Sequence, residues 1–431
     1  MTTSALLIVL LFVLLAGGVW ISVTLGIVAW AGVAFFSTTR PDINLVTTYW
    51  NTYESLSLAS LPMFIWMGEI LFRTRLAEQM FAGLAPWLDR LPGRLLHVNV
   101  LGCGIFGAVS GSSAATCATI AKIALPELSR RGYDEKMSLG ALCGASTLGI
   151  LIPPSIAMIV YAVASDVSII RMFIAGVMPG ILLLCLFSGY IIVWAMLNPE
   201  KTPKASIDMS LGQRIKASGN LIPVFMLIVF VFFSMVTGVA TANEASAFGV
   251  LGSLCIALFG GTLSWKAFVQ SLSGALRMSA MIMFILGAAS FLTVAMGFTG
   301  IPTALSKWVV SLELSPYALI GALTLVYLVL GCALDGVSMI VLTTSVVLPM
   351  VQAAGFDPIW FGVYIIIMNE LAQITPPVGF NLFVLQGMSG HSIMTVARAS
   401  IPFFCMMIVA TVLIVIFPSI ATWLPQYVMG R

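Results

Sequence analysis

Apolar residues run along this chain in long blocks, with neither the alternation of half-buried strands nor the narrow stripe of amphipathic helices. The blocks lie near residues 4–36, 57–72, 95–127, 137–162, 169–197, 219–237, 244–262, 274–297, 318–351, 360–388 and 393–424. About 20 apolar residues of helix cross a bilayer, so most blocks predict one crossing each. Those at 4–36, 95–127 and 318–351 are too long for that. The first is compatible with one long helix or with two short spans.

The second long block is interrupted by Ser110, Gly111, Ser112 and Ser113 in "GAVSGSSAAT". On either side, Leu95 to Val109 and Ala114 to Leu125 predict helices of about 18–22 Å, short of a hydrocarbon core of about 30 Å. A re-entrant helical hairpin with its tip at Ser110–Ser113 accounts for the length. Charge agrees: Arg73, Arg75, Arg90 and Arg94 precede the block, and Arg130, Arg131 and Lys136 follow it. Short loops rich in Lys and Arg stay in the cytoplasm, so both ends of the hairpin are expected there. The loop with Lys201, Lys204, Arg214 and Lys216 falls on the same side if each intervening block crosses once. Three further crossings bring the chain outside near Gly300. The loop after block 318–351, "QAAGFDPIW", has no Lys or Arg, as an external loop should.

The 318–351 block repeats the design. Pro126 and Pro349 stand 223 positions apart, and at that offset Gly132 meets Gly355, Asp134 meets Asp357, Pro153 and Pro154 meet Pro376 and Pro377, and Pro179 meets Pro402. The tip Ser110–Ser113 then corresponds to Ala333, Leu334, Asp335 and Gly336. Five crossings lie between, so the second hairpin enters from the opposite face. Inverted repeats with paired broken elements point to a secondary transporter whose site lies near the midplane.

The other broken elements are "TLGILIPPSIAM", 147–158, and "LAQITPPVGFNL", 371–382. Proline removes an N–H donor and clashes with the preceding turn, which frees the carbonyls of Gly149, Ile152 and Pro154 and, at the offset, of Ala372, Thr375 and Pro377. Irregular backbone is tolerated at membrane depth only when buried in protein or lining a cavity. Oxygen donors suit a small hard cation and half-helix N-termini attract an anion. Hydroxyls come from the serine cluster near the first break, and Ser338, Thr375 and Asn381 add polar groups near the second. Two cation sites with an anionic substrate between them follow. Asp335 opens a half-helix, where capping and site duty are compatible.

Composition fixes the class. Of 431 residues, 60% are hydrophobic and only 8% charged, against roughly 25% charged in a soluble domain. The chain therefore reads as an all-α polytopic membrane protein. A net charge of +3 gives no basis for nucleic-acid binding. The N-terminus has no charge before Arg40 and reads as a retained membrane segment. Seven cysteines stand singly in apolar blocks and the two histidines, His97 and His391, are far apart, so neither disulfides nor a transition-metal site is expected. Glu69, Lys122, Glu244 and Glu370 sit in or beside apolar blocks, where ionisable groups are often functional. Each is equally readable as a structural ion pair or an interface residue. Residues 71–94 suggest a helix on the cytoplasmic surface.

The sequence "SGSSAAT", followed by "GILIPPS", then "LD" and "ITPPVGFNLF", resembles the large membrane (M) subunit of the tripartite ATP-independent periplasmic (TRAP) transporters. "GVWISVTLGIV" and "TGVATANEASAFGVLG" extend the similarity over essentially the whole chain. The resemblance implies an elevator-type sodium symporter of the bacterial inner membrane that uses no ATP. It also implies a small four-helix membrane subunit and a periplasmic substrate-binding protein as partners. Substrates would be organic anions bearing a carboxylate, such as C4-dicarboxylates, keto acids, sugar acids or sialic acid. Carried over by motif, Ser110 with Gly149, Ile152 and Pro154 belongs to one sodium site, and Ala333 with Ala372, Thr375 and Pro377 to the other. Ser112, Ser113, Asp335, Gly336, Ser338 and Asn381 would face substrate.

The organisation expected is 1–94 as scaffold helices with the surface helix, 95–168 as the first transport half, and 169–317 as scaffold and connecting helices. Then 318–390 forms the second transport half and 391–431 a C-terminal scaffold helix. A sodium/dicarboxylate elevator working without a binding protein is the nearest alternative. A membrane-embedded enzyme would need a nucleophile and base in proximity, and neither histidine approaches a motif serine in sequence. A channel would not call for two opposed hairpins with paired breaks.

Overall fold

The glycines and aspartates that match at the 223-residue offset act as helix punctuation in a computed structural model, which describes residues 2–73, 76–203, 210–219, 221–300, 315–331, 334–376 and 379–430. Gly132 and Gly355 turn the chain at φ 78° and 89°, in the left-handed region that a side chain disfavours. Asp134 and Asp357 follow as N-caps, accepting from the Met137 N–H at 2.8 Å and from the Ile359 N–H at 2.7 Å. Ser112 and Asp335 cap the second arms of their hairpins, from the N–H of Ala115 and of Ser338, both at 3.3 Å. Those donors are again 223 positions apart.

Every regular element among the described residues is a helix. The first hairpin has arms Leu95–Ser110 and Ser113–Arg130, joined at Gly111, φ 59°. The second has arms Pro316–Leu330 and Gly336–Ala353. The arms are longer than expected. Sixteen and 18 residues make about 24 and 27 Å: the first arm takes in Ser110, and the second runs on to Arg130 because Pro126 lies inside the helix, as Pro349 does in the second hairpin. One lost donor is tolerable where the rest of the turn is bonded.

Each hairpin is followed by a broken helix. The first runs Glu135–Leu151, breaks at Ile152–Ser155, and resumes as Ile156–Ala164 bent by 45°. The second runs Pro358–Gln373 and resumes as Phe380–Ser389. The leading block divides into Thr2–Ala16 and Ile21–Phe36 about the left-handed Gly18, which settles the choice in favour of two helices.

Among the described residues, five helices are long and apolar enough to cross a bilayer: Ile169–Leu197, Ala242–Phe259, Trp265–Thr299, Gly336–Ala353 and Ile393–Ile416. Counting bent pairs as single spans brings the number to eight. Trp265–Thr299 packs along Ile21–Phe36 and Leu56–Phe72, and Ala242–Phe259 packs on Leu56–Phe72. Leu95–Ser110 and Ser113–Arg130 pack on each other and on the first broken helix, Pro316–Leu330 and Gly336–Ala353 each pack on Pro358–Gln373, and Ile393–Ile416 packs on both broken helices. Glycines permit the closest approaches: a Cβ on Gly140 would stand 2.2 Å from the Ala399 carbonyl, and one on Gly144 would stand 2.5 Å from Phe403. The helix Leu76–Leu88 lies against Leu211–Ser218, where Trp87 Nε1 donates to Ser218 Oγ at 2.8 Å.

Candidate functional site

The first tip is tied to its own hairpin and seated on the first break. Ser110 Oγ lies 2.7 Å from Thr116 Oγ1 and donates to the Ser112 carbonyl at 3.2 Å. Thr116 in turn faces Gly149: a Cβ there would be 3.1 Å from its hydroxyl and 2.9 Å from the Gly107 Cα. Gly111 has no room for a side chain either, with Ile156 at 2.8 Å from its ideal Cβ. Because Pro153 and Pro154 bring no N–H, the carbonyls of Gly149 and Ile150 have no helical donor four residues on. Ile152 lies outside the helix in extended backbone, its own N–H bonded to the Leu148 carbonyl at 3.1 Å. Pro154 is buried beside it.

The second tip sits differently. Asp335 accepts from both the Ser338 N–H and the Ser338 hydroxyl, and remains exposed. Gly331 and Gly336 press on the second broken helix: a Cβ on the former would meet Ala372 Cβ at 2.0 Å, and one on the latter would meet the Asn369 amide at 2.1 Å. Thr375 Oγ1 donates to the Leu371 carbonyl at 2.5 Å, and its own carbonyl accepts from the Gly379 N–H at 2.9 Å. Ala333 and Pro377 lie outside the described residues.

A cavity of about 950 Å³ opens beside this tip, lined by Phe12, Trp20, Phe284, Leu334, Asp335 and Ser338 among others. The first tip has only a crevice of about 50 Å³, where Ser110 and Ser112 meet Gly68, Glu69 and Met278.

Residues 8–420 match the family model described as "Tripartite ATP-independent periplasmic transporter, DctM component". The chain is 32% identical to the C4-dicarboxylate TRAP transporter large permease protein DctM of Pseudomonas aeruginosa, over 89% of this chain and 90% of that one. The chain belongs to the DctM family. It is also 28% identical to the ectoine/5-hydroxyectoine TRAP transporter large permease protein UehC of Ruegeria pomeroyi, over 87% of each. Among solved structures it shares its fold with the Alcanivorax borkumensis YdaH transporter, at a TM-score of 0.66 and 12% identity over 97% of this chain and 98% of that one. A DctM-family chain is a multi-pass membrane permease, and its relatives are transport proteins.

In this DctM-family chain the sequence-predicted residues divide between the tips. Ser110 and Gly149 come together through Thr116, and Gly336 rests on Asn369. Asn381 goes elsewhere: fully buried, it donates through Nδ2 to Ser146 Oγ at 3.0 Å, within the first broken helix. Ser113 reaches across the molecule, its hydroxyl 2.7 Å from both carboxyl oxygens of Glu370.

Three residues gain weight that sequence reasoning did not give them, Thr116, Ser146 and Asn369, and Glu370, named only as one ionisable candidate among four, gains a definite partner. Glu370 carried one signal, an ionisable group two residues before Ala372 at the mouth of a proline break. The offset could not supply more, since its counterpart is Thr147. The remaining ionisable candidates have local partners or none. Glu244 closes a capping box with Thr241 at the start of Ala242–Phe259, a structural duty. Glu69 pairs with Arg73 at 3.1 Å and borders the first crevice. Lys122 is exposed on the second arm of the first hairpin.

Proposed function

We propose that this chain is the large subunit of a sodium-coupled importer of small organic acids, working in a bacterial inner membrane by an elevator movement. Its partners would be a small four-helix membrane subunit and a periplasmic protein that delivers substrate. The observation that carries this reading is the pairing, in each half, of a capped hairpin tip with a proline break. The first break leaves carbonyls at Gly149 and Ile150 without helical donors, and Gly149 faces the Thr116 hydroxyl that is bonded to Ser110.

The donors gathered there are oxygens, which suits a hard monovalent cation carried as cargo. Ser110, Gly149, Ile152 and Pro154 would hold one sodium ion, and Ala333, Ala372, Thr375 and Pro377 the second. Substrate would lie between Ser112, Ser113 and the Asp335–Ser338 tip. A carboxylate fits such a place because two cations offset its charge, and the substrates named for the relatives, C4-dicarboxylates and ectoine, each carry one. Which acid is transported is encoded largely in the binding protein.

Reconstituted vesicles test the reading. With the cognate binding protein and a panel of radiolabelled carboxylates, uptake should require an inward sodium gradient. Uptake that proceeds unchanged with choline in place of sodium would refute sodium coupling. Uptake without any binding protein would favour a stand-alone transporter.

A further inference from the structure

Two consecutive residues of the second broken helix touch opposite hairpin tips. Asn369 lies against Gly336, so tightly that a Cβ on that glycine would stand 2.1 Å from Asn369 Nδ2. Glu370, about 100° round the helix, holds the Ser113 hydroxyl at 2.7 Å from each carboxyl oxygen. Glu370 is 1% exposed and Ser113 2%, so water does not compete for this contact. Among the described residues, the other side-chain hydrogen bonds of the first tip stay within its own hairpin: Ser110 to Thr116 and Ser112, and Ser112 to Ala115. Ser113 is where that tip leaves its own repeat, 257 positions away in sequence.

The placement bears on coupling. Glu370 stands two residues before Ala372 and five before Thr375, on the last turn leading into the second break. A cation that draws in the first tip must move Ser113, and Ser113 cannot move without releasing or pulling that turn. Packed side chains respond as units rather than deforming smoothly. The Asn369 contact makes the same turn sensitive to the second tip.

We propose that Asn369 and Glu370 form the link through which the two hairpin tips read each other's occupancy, so that the two cations bind cooperatively. Glu370 is then a positioning residue rather than a ligand. The inference rests on the sodium-site reading given above.

The test uses radioactive sodium alone, bound to the purified full chain, so no substrate need be known. Wild type should bind sodium with a Hill coefficient above one and approaching about two, the number of coupled sites. Glu370→Leu removes the acceptor at similar volume, and Ser113→Ala removes the donor. Both should bring the coefficient close to one and raise half-saturating sodium by roughly fivefold, the low end of ordinary coupling. Ser113→Thr restores the hydroxyl and should recover the wild-type isotherm. Thermal unfolding confirms folding for each variant, and if Glu370→Leu does not fold, Ser113→Ala and its rescue still decide. Variants that keep both the coefficient and the half-saturating sodium would overturn the link while leaving the sodium sites intact. A wild type that binds no sodium would overturn the sites and the link together.

Discussion

At the level of single residues, the first break depends on backbone contact that only glycine allows. Gly107 and Gly149 face each other so closely that a Cβ on Gly107 would stand 2.0 Å from the Gly149 Cα, with backbone rather than a pliable side chain in the way. Gly107→Ala should therefore cost about 1–3 kcal/mol through overpacking, visible as a lowered Tm of the purified protein. Thr116 gives a finer probe. Its hydroxyl joins Ser110 to the wall at Gly149, and Thr116→Val removes that hydroxyl at constant shape. Losing one neutral hydrogen bond of about 1 kcal/mol at the site should raise half-saturating sodium roughly fivefold, with folding kept. Sodium titrations of binding check it, and an unchanged midpoint would place the cation away from the Ser110–Thr116 pair.

At the level of elements, the double proline frees carbonyls only if it interrupts a helix that would otherwise continue. Glu135–Leu151 and Ile156–Ala164 lie in line apart from a 45° bend at Ile152–Ser155. Replacing both Pro153 and Pro154 by Ala returns two N–H donors to Gly149 and Ile150. The helix should lengthen through the break, the protein should stay folded, and sodium-driven uptake should fall at least tenfold. Retained uptake would show that the freed carbonyls are not ligands.

These elements were legible in the sequence because their marks are local: Gly at a left-handed turn, Asp or Ser at an N-cap, and paired prolines, all recurring at one offset. What the sequence did not show depends on packing between distant segments. Nothing local to Asn381 says that its amide finds Ser146, or that Glu370 meets Ser113 across 257 positions. The arm lengths were misjudged for a related reason. The arm expected to end at Leu125 runs on to Arg130, because Pro126 is carried inside the helix, as Pro349 is in the second hairpin.

At the level of the whole molecule, the two tips are in unlike surroundings although they are repeats. The first is closed against Leu56–Phe72, where a Cβ on Gly68 would stand 2.5 Å from the Val109 carbonyl and the crevice holds about 50 Å³. The second borders a cavity of about 950 Å³ between Thr2–Ala16, Ile21–Phe36 and Trp265–Thr299. On the proposed elevator reading these surroundings would exchange, the hairpins carrying their site past the other helices. A clamp at the closed tip should therefore stop the cycle. Glu69 and Ser112 line the same crevice from opposite sides, so the double variant Glu69→Cys, Ser112→Cys brings two thiols within reach of a short reducible cross-linker. Cys103, Cys117 and Cys143 are buried and can stay. The exposed Cys185, Cys255 and Cys405 should be replaced, together with Cys332. Uptake by the uncross-linked double variant sets the baseline, since Glu69 also holds Arg73. Cross-linking should then abolish uptake and a thiol reductant should restore it to that baseline. Cross-linked protein that still transports at the baseline rate would mean that the first tip does not part from Leu56–Phe72 during the cycle, and the sliding movement would have to be given up.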